Sequence, residues 1–297
     1  MFAAAHAAWQ GKIRAARRRR RILAAAASLA VAAVLAAAVA LRLEPAPDAA
    51  VVVRLAGTVE ARPDGSDVWR AVGAADSVAS GARLRTRQDG ALSLDLKGVT
   101  LRVDETTTLV LESPRHVTLE GGAVYVDSGV ATDGSGFSVA TAFGVFEDIG
   151  TQFEIRSSEA ALRLRVREGR VQLASSGLDE RVEAVAGEEL MVGATGGVRR
   201  RSFPPAHPDW SWAEALAATP ELDGRSAYEA LRWVARETGR RLVFADPAAD
   251  LRARSAIMSG GRGDVHLTPE DVVQIVNGTV DGLECSLDPG AVVVRSR

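Results

Sequence analysis

The sequence predicts a single-pass membrane protein whose exported part is a mainly β domain, sandwich or solenoid-like, followed by a small α+β domain. Three patterns predict it. An uncharged stretch at residues 22–41 directly follows an arginine cluster. Apolar and polar residues then alternate with period two from about 51 to 198, the mark of half-buried strands. From 221 to 297 capped helical segments alternate with short apolar strands. A net charge of -2 with 25% charged residues gives no reason to expect nucleic acid as a partner.

Residues 22–41 have about the length needed to cross a hydrocarbon core. Arg17 to Arg21 precede them, with Arg14 and Lys12 further back. Arginine beside a span is retained in the cytoplasm. Residues 1–21 are therefore expected to be a short cytoplasmic tail, with the span in the bacterial inner membrane and the C-terminal bulk in the periplasm. About half the span is alanine, and Ala38-Val39-Ala40 has the small residues of a cleavage site, so a cleaved signal peptide is the alternative. Both readings export the rest. Cys285 is the single cysteine, which excludes an intrachain disulfide.

Residues 42–50 form a linker in which Pro45 and Pro47 stop the helix. Across 51–198, Leu92, Leu94 and Leu96 alternate with Ser93 and Asp95, and Leu162, Leu164 and Val166 with Arg163, Arg165 and Arg167. Such alternation places the apolar set inward and the polar set towards water. Turn signals stand at Pro63-Asp64-Gly65, Gln88-Asp89-Gly90, Glu120-Gly121-Gly122, Glu168-Gly169 and Ala186-Gly187. Periodicity does not separate sandwich, barrel and solenoid.

Several segments in this region occur in a familiar order: Gly57-Thr58-Val59, Leu119-Glu120-Gly121-Gly122-Ala123-Val124-Tyr125-Val126, Phe137-Ser138-Val139-Ala140-Thr141 and Gly150-Thr151-Gln152-Phe153-Glu154-Ile155. Val166-Arg167-Glu168-Gly169-Arg170-Val171 and Val185-Ala186-Gly187-Glu188-Glu189-Leu190 follow. The succession resembles the extracytoplasmic domain of the FecR family. The glycines read as tight or positive-φ turn positions, hence scaffold.

Residues 199–220, with Arg199 to Arg201 and the prolines 204, 205 and 208, read as a stiff linker, and Trp210 and Trp212 as packing it against one domain. In residues 221–297, Ser226 with Glu229 and Thr268 with Asp271 have capping-box spacing, Pro269 opens the second helix, and Gly239 and Gly278 end the two helices. Leu242-Val243-Phe244 reads as a buried strand, and a terminal hairpin runs from Leu283 to Val294. The two units are expected to fold separately. Ala230-Leu231, Thr238-Gly239, Leu267-Thr268-Pro269-Glu270-Asp271-Val272 and Gly282-Leu283 resemble the short N-terminal domain of secretins and TonB-dependent receptors.

These resemblances imply a transmembrane signalling regulator, not an enzyme. It would relay the state of a TonB-dependent outer-membrane transporter, commonly for iron chelates, towards an extracytoplasmic-function sigma factor. The signalling domain of the transporter would be one partner, and the sigma factor and the inner membrane the others. The implied family departs here at one point: its sigma-binding segment usually spans several tens of residues, and only residues 1–21 precede the span. The other readings are an envelope-anchored binding or scaffold module without sigma control, and an envelope hydrolase. Val292, Val293 and Val294 are the candidate partner-binding residues, as the expected free edge of the terminal hairpin.

No catalytic, cofactor or metal site is expected. His6, His116, His207 and His266 lack metal-ligand spacing, and no nucleophile elbow or phosphate-binding glycine loop occurs. Glu188 and Glu189, or Asp104 and Glu105, are adjacent, so strand geometry would send them to opposite faces. Arg262-Gly263-Asp264 and Asn277-Gly278-Thr279 match short adhesion and glycosylation motifs by chance.

Overall fold

Period-two alternation becomes strand pairing in the described segments between residues 48 and 202. The computed structural model describes residues 48–129, 136–148, 150–175, 181–194, 197–259 and 266–297. The chain divides into two units, Met1–Ala46 and Pro47–Arg297. The first, which holds the expected tail and span, lies outside the described residues, as does the Arg262-Gly263-Asp264 motif. No helix among the described residues is long and apolar enough to cross a membrane.

The strands are β1 (Asp48–Ala56), β2 (Val59–Arg62), β3 (Arg70–Ala71), β4 (Ser77–Ala79), β5 (Ala82–Thr86) and β6 (Ala91–Leu96). Next come β7 (Val99–Val103), β8 (Thr108–Ser113), β9 (His116–Asp127), β10 (Ser138–Thr141), β11 (Gly144–Asp148) and β12 (Gln152–Ser157). The series closes with β13 (Ala161–Glu168), β14 (Arg170–Ala174), β15 (Val182–Val185), β16 (Glu188–Gly193) and β17 (Val198–Ser202). One layer pairs in the order β4-β1-β6-β7-β9-β12-β13-β16-β17. The other runs β3-β2-β5-β8-β9-β10-β11-β14-β15. Apart from the marginal β3 and β4, strand number rises steadily across both layers. The chain thus advances along the domain while crossing between its faces, a sandwich with solenoid-like progression.

β9 serves both layers: its first half pairs with β8 and its second with β7 and β12. Glu120-Gly121-Gly122, expected as a turn, is instead the bend inside this one strand. Gly122 has φ 94°, and a Cβ there would stand 2.3 Å from Thr107 Oγ1 and 2.5 Å from Thr107 Cα, so a side chain has no room. Between the layers, Leu94, Leu101, Val126, Phe153, Leu164 and Leu190 meet Leu84, Leu109, Val117, Val139, Phe146 and Leu173 in one core. Each such side chain stabilises the fold by about 1.5–3 kcal/mol relative to exposure.

The stretch read as a linker is ordered. Arg199 to Arg201 lie in β17, paired with β16. A 3-10 turn at Pro208–Trp210 and helix α1 (Ser211–Glu214) follow. The last part comprises α2 (Ala227–Thr238), β18 (Arg241–Phe244), α3 (Pro247–Ser255), α4 (Pro269–Thr279), β19 (Leu283–Asp288) and β20 (Ala291–Ser296). Both capping boxes form, at Ser226–Glu229 and Thr268–Asp271, and Gly239 closes α2 in the left-handed region at φ 63°. α4 runs past Gly278 to Thr279. α3 is an addition to the expected order, begun by Asp246, whose side chain accepts from Ala249 N at 2.8 Å, with Pro247 at the first position. Its weak amphipathicity, with Ala249 and Ala253 the buried residues, hid it from a search for apolar stripes.

The three-stranded sheet is ordered β18-β20-β19. Val292, Val293 and Val294 therefore occupy the central strand, bonded in parallel to β18 and antiparallel to β19. Their backbone is not a free edge. A terminal hairpin places its last strand outermost only if nothing pairs with its other side, and Leu242 to Phe244 does so.

Candidate functional site: a buried ionic seam

The outward face of the first layer, expected to meet water, carries a row of polar side chains in register across seven strands. Ser93 pairs with Arg102, Arg102 with Tyr125, Tyr125 with Glu154, Glu154 with Arg165, Arg165 with Glu189 and Glu189 with Arg201. All but the last are buried, including both Arg102 and Arg165. The cover is the segment after β17. Phe203, Trp210 and Ala213 close over Tyr125, with Trp210 edge-on to Tyr125 at 5.8 Å between ring centroids. Trp210 Nε1 donates to Pro204 O at 3.2 Å.

Pairing compensates the buried charges. Arg165 donates from Nε to Glu189 at 2.7 Å, meets Asp209 at 2.9 Å and lies with its guanidinium 3.7 Å from the centre of the Phe203 ring. Glu154 accepts from Arg163 at 2.9 Å and Arg156 at 3.1 Å. Burial alone would raise the Glu189 carboxyl, but hydrogen bonds and charge from Arg201 and Arg165 outweigh it and hold it below the usual glutamate value. Burial pushes the Tyr125 phenol up to about 12, against the pull of Arg167 and Arg102. Its hydroxyl has no hydrogen-bond partner among the described residues.

The same face receives the C-terminal end of α2. Arg102 Nη2 donates to Glu237 at 2.8 Å and Nη1 to Ala213 O at 2.9 Å, with side-chain exposures of 2% for Arg102 and 7% for Glu237. Arg167 donates to Glu237 O at 2.6 Å and to Pro205 O at 2.9 Å, and pairs with Glu214. A cation over the last carbonyls of a helix also complements its dipole. Arg236 reaches back to Asp127 at 2.5 Å and Glu168 at 2.7 Å. Burial works to raise the Asp127 carboxyl, but the Arg236 charge and hydrogen bonds from Arg236 and Gln152 leave it below the usual aspartate value. Gly239 completes the fit, because a Cβ there would stand 2.3 Å from Pro205 O. The seam thus joins the sandwich to the C-terminal module through buried, paired charges.

Chemically this arrangement holds and orients. Its acids and bases are already paired with one another, and among the described residues no group of His, Cys, Asp or Glu is placed to bind a metal. Cys285 is buried, which pushes its thiol up to about 11 and removes thiolate at neutral pH. Glu188 and Glu189 point to opposite faces, bonded to Arg200 and Arg165 respectively. The seam residues were missed because Arg163, Arg165 and Arg167 read as a solvated strand face. The available signal was opposite charge at neighbouring strand positions, Glu154 beside Arg165, followed by a connector rich in tryptophan.

Residues 82–172 match the family model for FecR, FecR protein. A search of curated proteins finds no match. Two solved crystal structures of a putative anti-sigma factor from Parabacteroides distasonis ATCC 8503 are similar at 15% and 14% identity, with TM-scores of 0.39 and 0.38. Each similarity covers 72% of this chain, and 99% and 98% of those chains respectively. The matched family segment opens at the first residue of β5 and ends within β14, so the likeness to FecR rests on β9 and the central strands of both layers.

Proposed function

We propose that this chain is a FecR-like, single-pass inner-membrane regulator that relays the state of a TonB-dependent outer-membrane transporter, one for an iron chelate, towards an extracytoplasmic-function sigma factor. The observation that carries the reading is the FecR match over residues 82–172. The uncharged stretch at 22–41 supplies the anchor, and the arginines before it set the orientation. The seam supports the relay: a module that meets a partner outside the membrane is fixed by buried charges to the FecR domain, so partner binding can bias the whole exported part. The protein acts by binding, without turnover.

The test is transcript profiling of a strain lacking the gene, with and without complementation by the full chain. The expected result is a small set of transcripts sharing one promoter class, restored by complementation and responsive to iron limitation. An unchanged transcriptome under both conditions would reject sigma-factor control and favour an envelope scaffold.

A further inference from the structure

The two outer edges of the C-terminal sheet are treated differently. On β19, the Asn277 side chain stands in for a neighbouring strand: Cys285 N donates to Asn277 Oδ1 at 2.7 Å, and Asn277 Nδ2 donates to Cys285 O at 2.9 Å. Leu283 N is satisfied by Val280 O at 3.3 Å. That edge is closed at Leu283 and Cys285. On β18, Arg241 N donates to Gly290 O at 3.1 Å and Ala245 N to Val294 O at 2.8 Å, both towards β20. Strand amides alternate in direction, so those of Leu242 and Phe244 face the other side, where no strand lies among the described residues.

Beside this open edge runs a groove of about 850 Å³ between the outer flank of α2 and the sandwich. Arg232, Arg236 and Arg240 line it, with Tyr228, Trp233 and Phe244. Arg236 is neutralised by Asp127 and Glu168. Among the described residues, the contacts of Arg232 and Arg240 are of another kind. Arg232 lies 5.9 Å from the Tyr228 ring centre, and Arg240 donates to the Asp288 carbonyl at 3.0 Å. Neither has a carboxylate within ion-pair distance, and with Arg167 and Arg254 the lining's arginines outnumber its acids, Glu168 and Glu229, so the groove presents surplus positive charge along a strand edge whose hydrogen-bonding groups are unused.

We infer that the β18 edge and this groove form a docking site for an extended acidic segment of a partner protein, added to the sheet as a fourth strand. The backbone supplies pairing through Leu242 and Phe244, and the arginines select the charge of the incoming side chains. This rests on the reading of the C-terminal module as the part that meets a partner, and it names the chemistry of what that module accepts.

The test uses the purified full chain in mild detergent and a fluorescein-labelled octapeptide of alternating valine and glutamate, followed by anisotropy. Saturable binding is expected, with none for the valine–lysine counterpart. N-methylation of the glutamate peptide along its pairing edge should abolish it. The double variant Arg232→Glu, Arg240→Glu should weaken binding by about fivefold or more. Leu242→Pro, which deletes a donor on the open side and spares the bonds to β20, should also weaken it, with a thermal melt confirming folding. Equal binding of the N-methylated peptide would mean that the groove takes anions by charge alone. Equal binding of the lysine peptide, or no saturable binding of the glutamate peptide, would also overturn the proposal, as would self-association of the chain that Leu242→Pro abolishes. Failure here leaves the transcript measurement unaffected, and an unchanged transcriptome leaves this site standing, so the two readings fail separately.

Discussion

Replacing Glu237 with leucine removes one charge from the junction of α2 with the sandwich while keeping a side chain of similar size. Arg102, 2% exposed, would then lose its ion-pair partner, leaving only the more distant charge of Asp127 to offset its burial. Removing one member of a buried pair costs about 3–5 kcal/mol, because the remaining charge stays desolvated. For a unit of this size each kcal/mol lowers the melting temperature by about 2–4 °C, so the expected fall is roughly 6–20 °C. Urea unfolding followed by tryptophan fluorescence is a suitable assay, since Trp210 and Trp212 lie in the cover over this face. The double variant Arg102→Met, Glu237→Leu removes both charges. It should recover most of the loss, less about 1 kcal/mol for the Ala213 carbonyl that loses its donor. A single-variant loss below about 1 kcal/mol, or a double variant no better than the single, would mean that uncompensated burial of Arg102 does not set the cost.

Other consequences are open to direct measurement. A reporter active only in the periplasm, fused after Arg297, should be active and remain in the inner-membrane fraction; soluble reporter cleaved near Ala40 would establish a signal peptide instead. Asp127 and Glu189 sit below their ordinary values in the fold. Their contribution is therefore complete above the usual carboxylate range and is lost as pH falls through the depressed folded values, below about pH 4. The stability gap between wild type and Asp127→Asn should accordingly close on acidification, and a constant gap down to about pH 3 would assign the stabilisation elsewhere. Asn277→Ala should cost about 1–3 kcal/mol by leaving Cys285 N and O unpaired, measurable by thermal melt. An unchanged melting temperature would mean that this edge needs no cover.

The layered β domain was legible because its core face is nearly pure valine and leucine at period two, as at Leu92, Leu94 and Leu96. Helix caps were legible for the same local reason: Ser226 and Thr268 act on residues three positions away. What escaped was non-local. Arg165 and Arg167 alternate as solvated residues do, and only the return of residues 203–217 over that face buries them. Val292 to Val294 looked like an edge because a hairpin has two strands, and the third, β18, enters in parallel from about fifty residues earlier. Asn277 matched a glycosylation motif, yet its amide closes a sheet edge, a role that depends on Cys285 being beside it.

Under the proposed function, partner binding at the C-terminal module reaches transcription through coupling across the seam. The most direct test of that coupling is the output of a sigma-dependent promoter reporter in cells carrying Glu237→Leu at matched membrane levels, beside the charge-free double variant. Reporter output should shift in the single variant, independently of iron supply, and return to the wild-type range in the double variant. Unchanged output from a single variant whose C-terminal module is shown by proteolysis to be released would contradict the coupling.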